Sequence, residues 1–314
     1  MPRFAARRLL YAAVVLWLVA TLTFAVLHLS PVPVERVIGG PRATPDTLAQ
    51  IRRNLGLDRP LLVQYWWFLA RLPRGDLGDS YVNGTPVTAL IGVRLPTTLC
   101  LVSGAAALWF AGGIVTGVTG ASRARGLWDR TVTVFVLAGL STPPFVMALA
   151  LLSLFTAGLG AGGVHVFEAG PPLQEHFLRR MVLPWFALAF LMMAAYTRLT
   201  RGAMLDVLDA DYVRTARAKG LPERRVVRGH ALRAALTPVV TQLGIDLGAL
   251  IGSTIVTEKV FGLQGVGQLV YQSIAAGDTP VIIGVTLLVT FSVTVANLLV
   301  DIGYAFLDPR VRPA

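Results

Sequence analysis

Two groups of polar residues in this 314-residue chain have the types and spacing to do chemistry. The first is the stretch DADYVRTARAKGLPERRVVRGHALRAALTP, from Asp209 to Pro238, which holds 7 of the 28 Lys and Arg residues: Arg214, Arg217, Lys219, Arg224, Arg225, Arg228 and Arg233. Cations set among small residues suit the grip of an acidic protein surface. Thr215, Ala216, Ala218 and Gly220 let another backbone come close, while the guanidinium and ammonium groups between them reach its carboxylates. The second is Asp246, a lone carboxylate inside an apolar run, where contact with lipid would cost several kcal/mol. It must face protein or a water-filled cavity; lining a path through the membrane and pairing within the chain, for instance with Asn297, both satisfy that requirement.

Bond-breaking chemistry has no matching residues. His28, His165, His176 and His230 show neither HExxH nor other ligand spacing, and no G-x-S-x-G nucleophile elbow occurs. The single cysteine, Cys100, excludes an intramolecular disulfide and any CxxC site and reads as a small packing residue. There is no G-x-x-x-x-G-K-[ST] phosphate loop, and Gly262 to Gly267 departs from G-x-G-x-x-G and reads as a plain loop.

The elements that must carry these residues are membrane helices. Hydrophobic residues make up 54% of the chain and charged residues 14%, against about 25% in soluble domains, and the mean hydropathy is +0.65. A net charge of +11 does not indicate nucleic acid, because the basic residues lie between long apolar runs and not on a face with stacking aromatics. Those runs are Leu9 to Val34, Leu95 to Ser122, Thr131 to Phe167, Met181 to Thr197, Ala234 to Thr257 broken only by Asp246, and Thr279 to Val300. At ~20 apolar residues per crossing they predict six spans. Arg3, Arg7 and Arg8 before the first run resemble a signal peptide, but the run is long and His28-Leu29-Ser30-Pro31 offers no small-x-small cleavage site, so it reads as an anchor. With the N-terminus inside, 17 basic residues fall on the cytoplasmic side and three, Arg179, Arg180 and Lys259, in short outer loops, which predicts both termini cytoplasmic.

Between the spans, Ala210 to Lys219 predicts a short helix closed by Gly220, and Pro222 opens a second. In the long outer segment, Thr44-Pro45-Asp46 opens a helix that Gly56 closes, Pro60 opens an aromatic one through Tyr65, Trp66, Trp67 and Phe68, and Thr85-Pro86 opens a third toward Arg94. The aromatics suit the membrane interface, with ligand stacking as the other reading. Gly113 and Gly117 form a G-x-x-x-G pair with Gly104, Gly112 and Gly120 nearby, a face for close helix packing within the chain or against a partner. Ser141-Thr142-Pro143-Pro144 predicts a kink in the third span, with Ser141 or Thr142 re-satisfying the carbonyl that proline frees.

The Asp209 to Pro238 stretch resembles the cytoplasmic EAA loop of ABC-importer permeases. Gly220 matches the Gly of E-A-A-x-x-x-G and Arg214, Thr215 and Ala216 take its first three places. Arg214 for Glu, His230 for Ile and Arg233 for Pro depart from the general pattern, but Thr215 to Leu221, His230 to Arg233 and Ala235 to Pro238 are similar to the dipeptide/oligopeptide branch. Leu55-Gly56-Leu57-Asp58, Gly75-Asp76-Leu77-Gly78, Arg94 to Leu99, Asp129-Arg130, Ser141-Thr142-Pro143, Glu258 with Val260-Phe261, and Leu307-Asp308-Pro309-Arg310 extend the likeness along the chain.

The resemblance implies an all-α integral membrane protein of the type I ABC-importer permease fold. Its six helices would lie at 9–29, 97–120, 131–156, 182–201, 236–257 and 281–305, the last five forming one permease domain. Residues 1–8 and 306–314 would be cytoplasmic, 30–96 and 258–280 extracytoplasmic, and 209–235 the coupling loop. It implies a subunit that moves di- or oligopeptides across the cytoplasmic membrane, with no cofactor of its own. ATP and Mg would sit on two ABC ATPase subunits, beside a second homologous permease and an extracytoplasmic substrate-binding protein. Asp211, Tyr212, Arg214, Thr215, Ala216, Arg217, Lys219 and Gly220 would meet the ATPases, and Asp246, Asn297, Ser141 and Pro143 would line the path. Nickel chelate, glutathione or haem are alternative cargoes in the same branch. An ion-coupled secondary transporter and a membrane enzyme are the other classes, opposed by the single intramembrane Asp and by the lack of clustered catalytic residues.

Overall fold

The computed structural model of the chain describes residues 2–29, 34–40, 43–54, 56–155 and 177–307. The end of the third apolar run and the Asp308-Pro309-Arg310 stretch lie outside them. Among the described residues the fold is helical, relieved by a single isolated bridge between Asp79 and Pro86. Four helices are long and apolar enough to cross a membrane, and six passages result if each of two bent helix pairs is one crossing. The chain divides into two compact units, residues 1–96 with 264–314 and residues 97–263.

In the first unit α1 (Pro2–Leu29) packs along α13 (Thr279–Leu307), and between them in sequence come α2 (Val34–Gly39), α3 (Pro45–Asn54), α4 (Leu61–Arg71), the start of α5 (Val87–Ser122) and α12 (Val266–Ala276). Gly56, at φ +66, ends the turn after α3, and Pro60 caps α4, as the sequence leads one to expect. The aromatic helix α4 divides its rings. Tyr65 and Phe68 pack on Phe24 of α1 at 5.2 and 5.7 Å, with the Tyr65 hydroxyl 2.7 Å from Thr21 Oγ1, whereas Trp66 is 70% exposed.

Two expectations for this unit are corrected. The helix opened by Thr85-Pro86 does not end near Arg94 but continues as α5 through Pro96 to Ser122, a proline being tolerated where neighbouring groups re-satisfy the backbone. The region 258–280 is not simply a loop: it contains α12, which places Val266, Leu269, Val270 and Ser273 on one helical stripe and stops at Gly277, φ +70. Val266 and Leu269 are buried with Val87, Ile91, Val281 and Val285. At the α12–α13 junction the buried Asp278 carboxylate accepts hydrogen bonds from the Ser80 hydroxyl and, at 3.0 Å, from the Tyr81 N–H. Burial and that carboxylate push the Tyr81 phenol up to about 12.

The second unit is built on a glycine contact between α5 and α8 (Phe177–Leu208). A methyl group on Gly104 would stand 2.1 Å from the Trp185 ring, one on Gly113 2.5 Å from Tyr196 Cβ, and one on Gly117 2.6 Å from Thr200 Cβ. The G-x-x-x-G face is thus used within the chain. Because these pairs ascend together, the two helices run parallel. Trp185 also donates to the Cys100 carbonyl at 3.0 Å, and Thr116 and Thr197 hydroxyls meet at 2.6 Å.

Helix α6 (Leu127–Ser141) returns in the opposite sense, its start at the Arg201 level of α8 and its end, Gly139, against Ala194. The predicted kink is a break. Between α6 and α7 (Pro144–Ser153) the axis turns by 104°, since Pro143 and Pro144 deny two adjacent N–H donors to the ladder. Thr142, and not Ser141, bonds back to the helix, donating its hydroxyl to the Ala138 carbonyl at 2.7 Å, one residue before the Gly139 and Leu140 carbonyls that the two prolines leave without their usual donors. The chain then enters α9 (Asp211–Ala218), α10 (Glu223–Arg225), a π-helical turn over Val226–Ala231, and α11 (Leu232–Val260). The second short helix opened by Pro222 is therefore the head of a continuous helical path into α11, because nothing between Glu223 and Leu232 breaks it.

Candidate functional site

Helix α9 owes its position to two apolar residues three apart, Val213 and Ala216, which one helical turn places on the same face. Val213 is fully buried and Ala216 6% exposed, packed with Ala121, Met204, Val226, Val227, Ala231 and Ala235. These partners come from α5, α8, the π-helical turn and α11, so a helix of eight residues is tied to three long ones. Burying Val213 alone contributes about 1.5–3 kcal/mol.

The remaining faces point to solvent. Asp211, Tyr212, Arg214, Thr215, Arg217, Lys219 and Gly220 are exposed, so seven of the eight residues expected to meet a partner are accessible to one. Ala216 is not: its methyl is part of the anchor, because spacing i, i+3 from Val213 turns it inward. Gly220 has φ +77, the left-handed conformation that ends the helix, and has open space where a side chain would project.

Arg217 clamps the turn that follows. Its guanidinium donates to both carboxylate oxygens of Glu223, at 3.1 and 2.8 Å, and to the Leu208 carbonyl at 3.2 Å. The hydrogen bond to Glu223 raises the Arg217 guanidinium above its already high range. Both partners are substantially exposed, so the pair contributes under about 1 kcal/mol; its effect is to fix the angle between α9 and α10. Arg214 meets Asp211 only at 3.8 Å with both side chains mostly in solvent, which leaves its cation free to engage another surface.

Deeper in the same unit, Asp246 of α11 is half-buried and held by two donors. The Tyr196 hydroxyl reaches one carboxylate oxygen at 2.8 Å and the Gln242 amide the other at 3.1 Å. Tyr196 is itself buried beside the Trp109 ring. Asn297, suggested as a partner for Asp246, is exposed on α13 of the first unit. Gln242 was legible as the residue one turn before Asp246 on the same helix face, whereas nothing in the spacing singles out Tyr196. Ser141 and Pro143 are exposed at the α6–α7 break.

Two further polar contacts were not anticipated. Arg201 of α8 donates to both oxygens of Asp129 at 2.7 and 2.9 Å, with the Arg125 N–H adding a third bond at 2.9 Å. Arg125 is the one non-glycine residue at positive φ among those described, held there by that bond. Near the other end of α11, Thr98 donates to the buried Glu258 at 2.6 Å.

The Asp246 contacts make a specific expectation. Asp246→Asn keeps an acceptor for Tyr196 and should leave the folded chain's thermal midpoint in detergent close to the wild type. Asp246→Leu strands the hydroxyl of buried Tyr196 at about 1–3 kcal/mol, together with the part-buried Gln242 amide, and should lower it clearly. Equal midpoints for the two variants would refute the assignment of this carboxylate to a structural pair.

No group of His, Cys, Asp and Glu able to hold a metal occurs among the described residues.

Comparison with known proteins bears on this arrangement. Residues 113–313 match the model of the binding-protein-dependent transport system inner membrane component, and residues 1–102 that of its N-terminal region. A Brucella abortus protein named as a peptide transport system permease is 40% identical over 310 residues, 98% of each chain. The glutathione transport system permease protein GsiC of Pectobacterium atrosepticum is 39% identical, over 98% of this chain and 97% of that one. Among solved structures, the inward-facing MetNI methionine ABC transporter aligns with a TM-score of 0.54 at 19% identity, covering 70% of this chain and 96% of that one, a likeness of fold.

Proposed function

This chain belongs to the binding-protein-dependent transport family of inner-membrane components, and from that premise we propose that it is the translocating subunit of an ATP-driven importer of short peptides. The observation that carries the reading is α9: an exposed, cationic helix whose only buried residues tie it to three long helices of the permease fold. A partner that moves α9 moves α5, α8 and α11 with it. On this reading two ATPase subunits bind Asp211, Tyr212, Arg214, Thr215, Arg217, Lys219 and Gly220 from the cytoplasm, and the ATP and Mg they hold supply the work. Their closure pushes α9 as a lever, and the spans rock between inward- and outward-open states around a cavity shared with a second, homologous permease.

Both termini then lie in the cytoplasm, which agrees with the 17 basic residues on that side. On the same reading Asp246, Ser141, Pro143 and Asn297 would line the path. The peptide cargo is supported by the relatives named for peptide transport, and a glutathione cargo, itself a tripeptide, by those named for glutathione.

Affinity purification in mild detergent tests the reading. Tagged chain expressed with its neighbours should bring down an ATPase whose hydrolysis rises when a peptide-loaded binding protein is added. A chain that elutes alone, with no ATPase retained, would sink it.

A further inference from the structure

The first unit contains a cavity of about 540 Å³, which lies within the ~300–1,000 Å³ that small-molecule sites occupy. Its lining comes from α1, the segment between α1 and α5, and the start of α13. Its lining is unusual in carrying both signs of charge against aromatic walls: Arg59 and Arg71, Asp76 and Asp79, Trp67 and Tyr81.

Each charge is placed so that it can be recruited. The Arg59 guanidinium lies 4.1 Å from the Trp67 ring centroid, which fixes its plane while leaving its N–H edge to grip a carboxylate in bidentate fashion. Arg71 and Asp76 are 3.8 Å apart with both side chains more than half exposed, a pair weak enough for a ligand to replace. Asp79 is exposed beside them.

The wall carrying Asp79 and Tyr81 is preorganised. Ser80 between them is 2% exposed and bonds to Asp278, itself 3% exposed, which also takes the Tyr81 N–H. The Ser80 N–H donates to the Thr85 carbonyl at 2.9 Å and its side-chain oxygen accepts from the Asn83 N–H at 3.0 Å, closing the loop on itself. A loop tied down this firmly, 198 residues from its anchor in sequence, holds its outward side chains at small entropic cost to a ligand.

An anion alone would meet two carboxylates here and a cation alone two guanidinium groups, whereas a molecule with a carboxylate at one end and an ammonium at the other satisfies both. We infer that this cavity is a binding site for a short zwitterionic peptide, its carboxylate held by Arg59 and Arg71, its ammonium by Asp79, and its side chains against Trp67 and Tyr81. The inference rests on the peptide-import reading and adds to it a contact point on the permease chain itself, before the membrane-spanning path.

The test uses the assembled complex in lipid nanodiscs without the binding protein, titrated with trialanine, trialanine amide and N-acetyl-trialanine. Trialanine should bind, and each blocked form should bind about tenfold weaker or less, as loss of one charge-assisted contact implies. Arg59→Gln should erase the preference for the free carboxylate over the amide, and Asp79→Asn the preference for the free amine over the acetyl form. Equal binding of all three peptides, no binding at all, or variants that keep both preferences would overturn the inference. The wider reading is scored separately by trialanine uptake with the binding protein present. If wild-type complex imports trialanine yet shows no such preferences, only the cavity is lost; if it imports none, the import reading fails.

Discussion

Gly113→Leu should prevent the chain from accumulating in folded form, while Gly202→Ala on the same packed pair of helices should be tolerated. At Gly113 the first added carbon would lie 2.5 Å from Tyr196 Cβ and 3.3 Å from the Thr197 backbone nitrogen. Neither atom can swing aside as a side-chain tip would, so α5 and α8 must part. Even alanine there costs about 1–3 kcal/mol by overpacking, and leucine adds three more carbons. Separation would also pull Thr197 from Thr116 and Trp185 from the Cys100 carbonyl, removing hydrogen bonds made only at this spacing. Gly202 is exposed in the helix with open space around it, and alanine is the better helix former by about 1 kcal/mol. The comparison is read by monodispersity and thermal midpoint in detergent. A Gly113→Leu chain as stable as the wild type would mean that the glycine contact is not the core of this unit.

Gly220→Leu should do the converse, leaving the chain folded and abolishing ATP-driven uptake. The residue has φ +77, which costs a non-glycine residue about 1–2 kcal/mol, and its surroundings are open, so the fold itself meets no clash. The strain falls on the turn between α9 and α10 that Arg217 and Glu223 hold at a set angle. A leucine side chain there also enters the surface assigned to the ATPases. If docking loses the same 1–2 kcal/mol, retention of the ATPase drops roughly 5- to 30-fold. Uptake at the wild-type rate with ATPase bound would show that the turn is not where force enters.

Much of this arrangement can be read from residue order. Helix α9 was legible because Gly220 and Pro222 punctuate it and because its cations stand among small residues between apolar runs. The glycine face was legible by its spacing, although only the three-dimensional pairing with Trp185, Tyr196 and Thr200 shows that the chain consumes it internally. What sequence obscured has physical causes. Pro96 suggests a helix boundary, since the residue before proline disfavours the α region, yet α5 passes through it. Helix α12 carries a clear stripe from Val266 to Ser273, but eleven residues between two long apolar runs are easily read as connection. The pairs Asp129–Arg201, Asp246–Tyr196 and Ser80–Asp278 join residues 50 to 198 positions apart, and no local pattern reports such distances.

The parallel register of α5 and α8 has a consequence for sidedness. Two helices that traverse one slab in the same direction leave it at the same face. Helix α6, antiparallel to both, sets out from that shared end in the opposite sense. It follows that the Arg123 to Arg130 turn and the Asp209 to Leu232 element emerge at the same face of the bilayer. Sidedness determined at either one is thereby determined for the other.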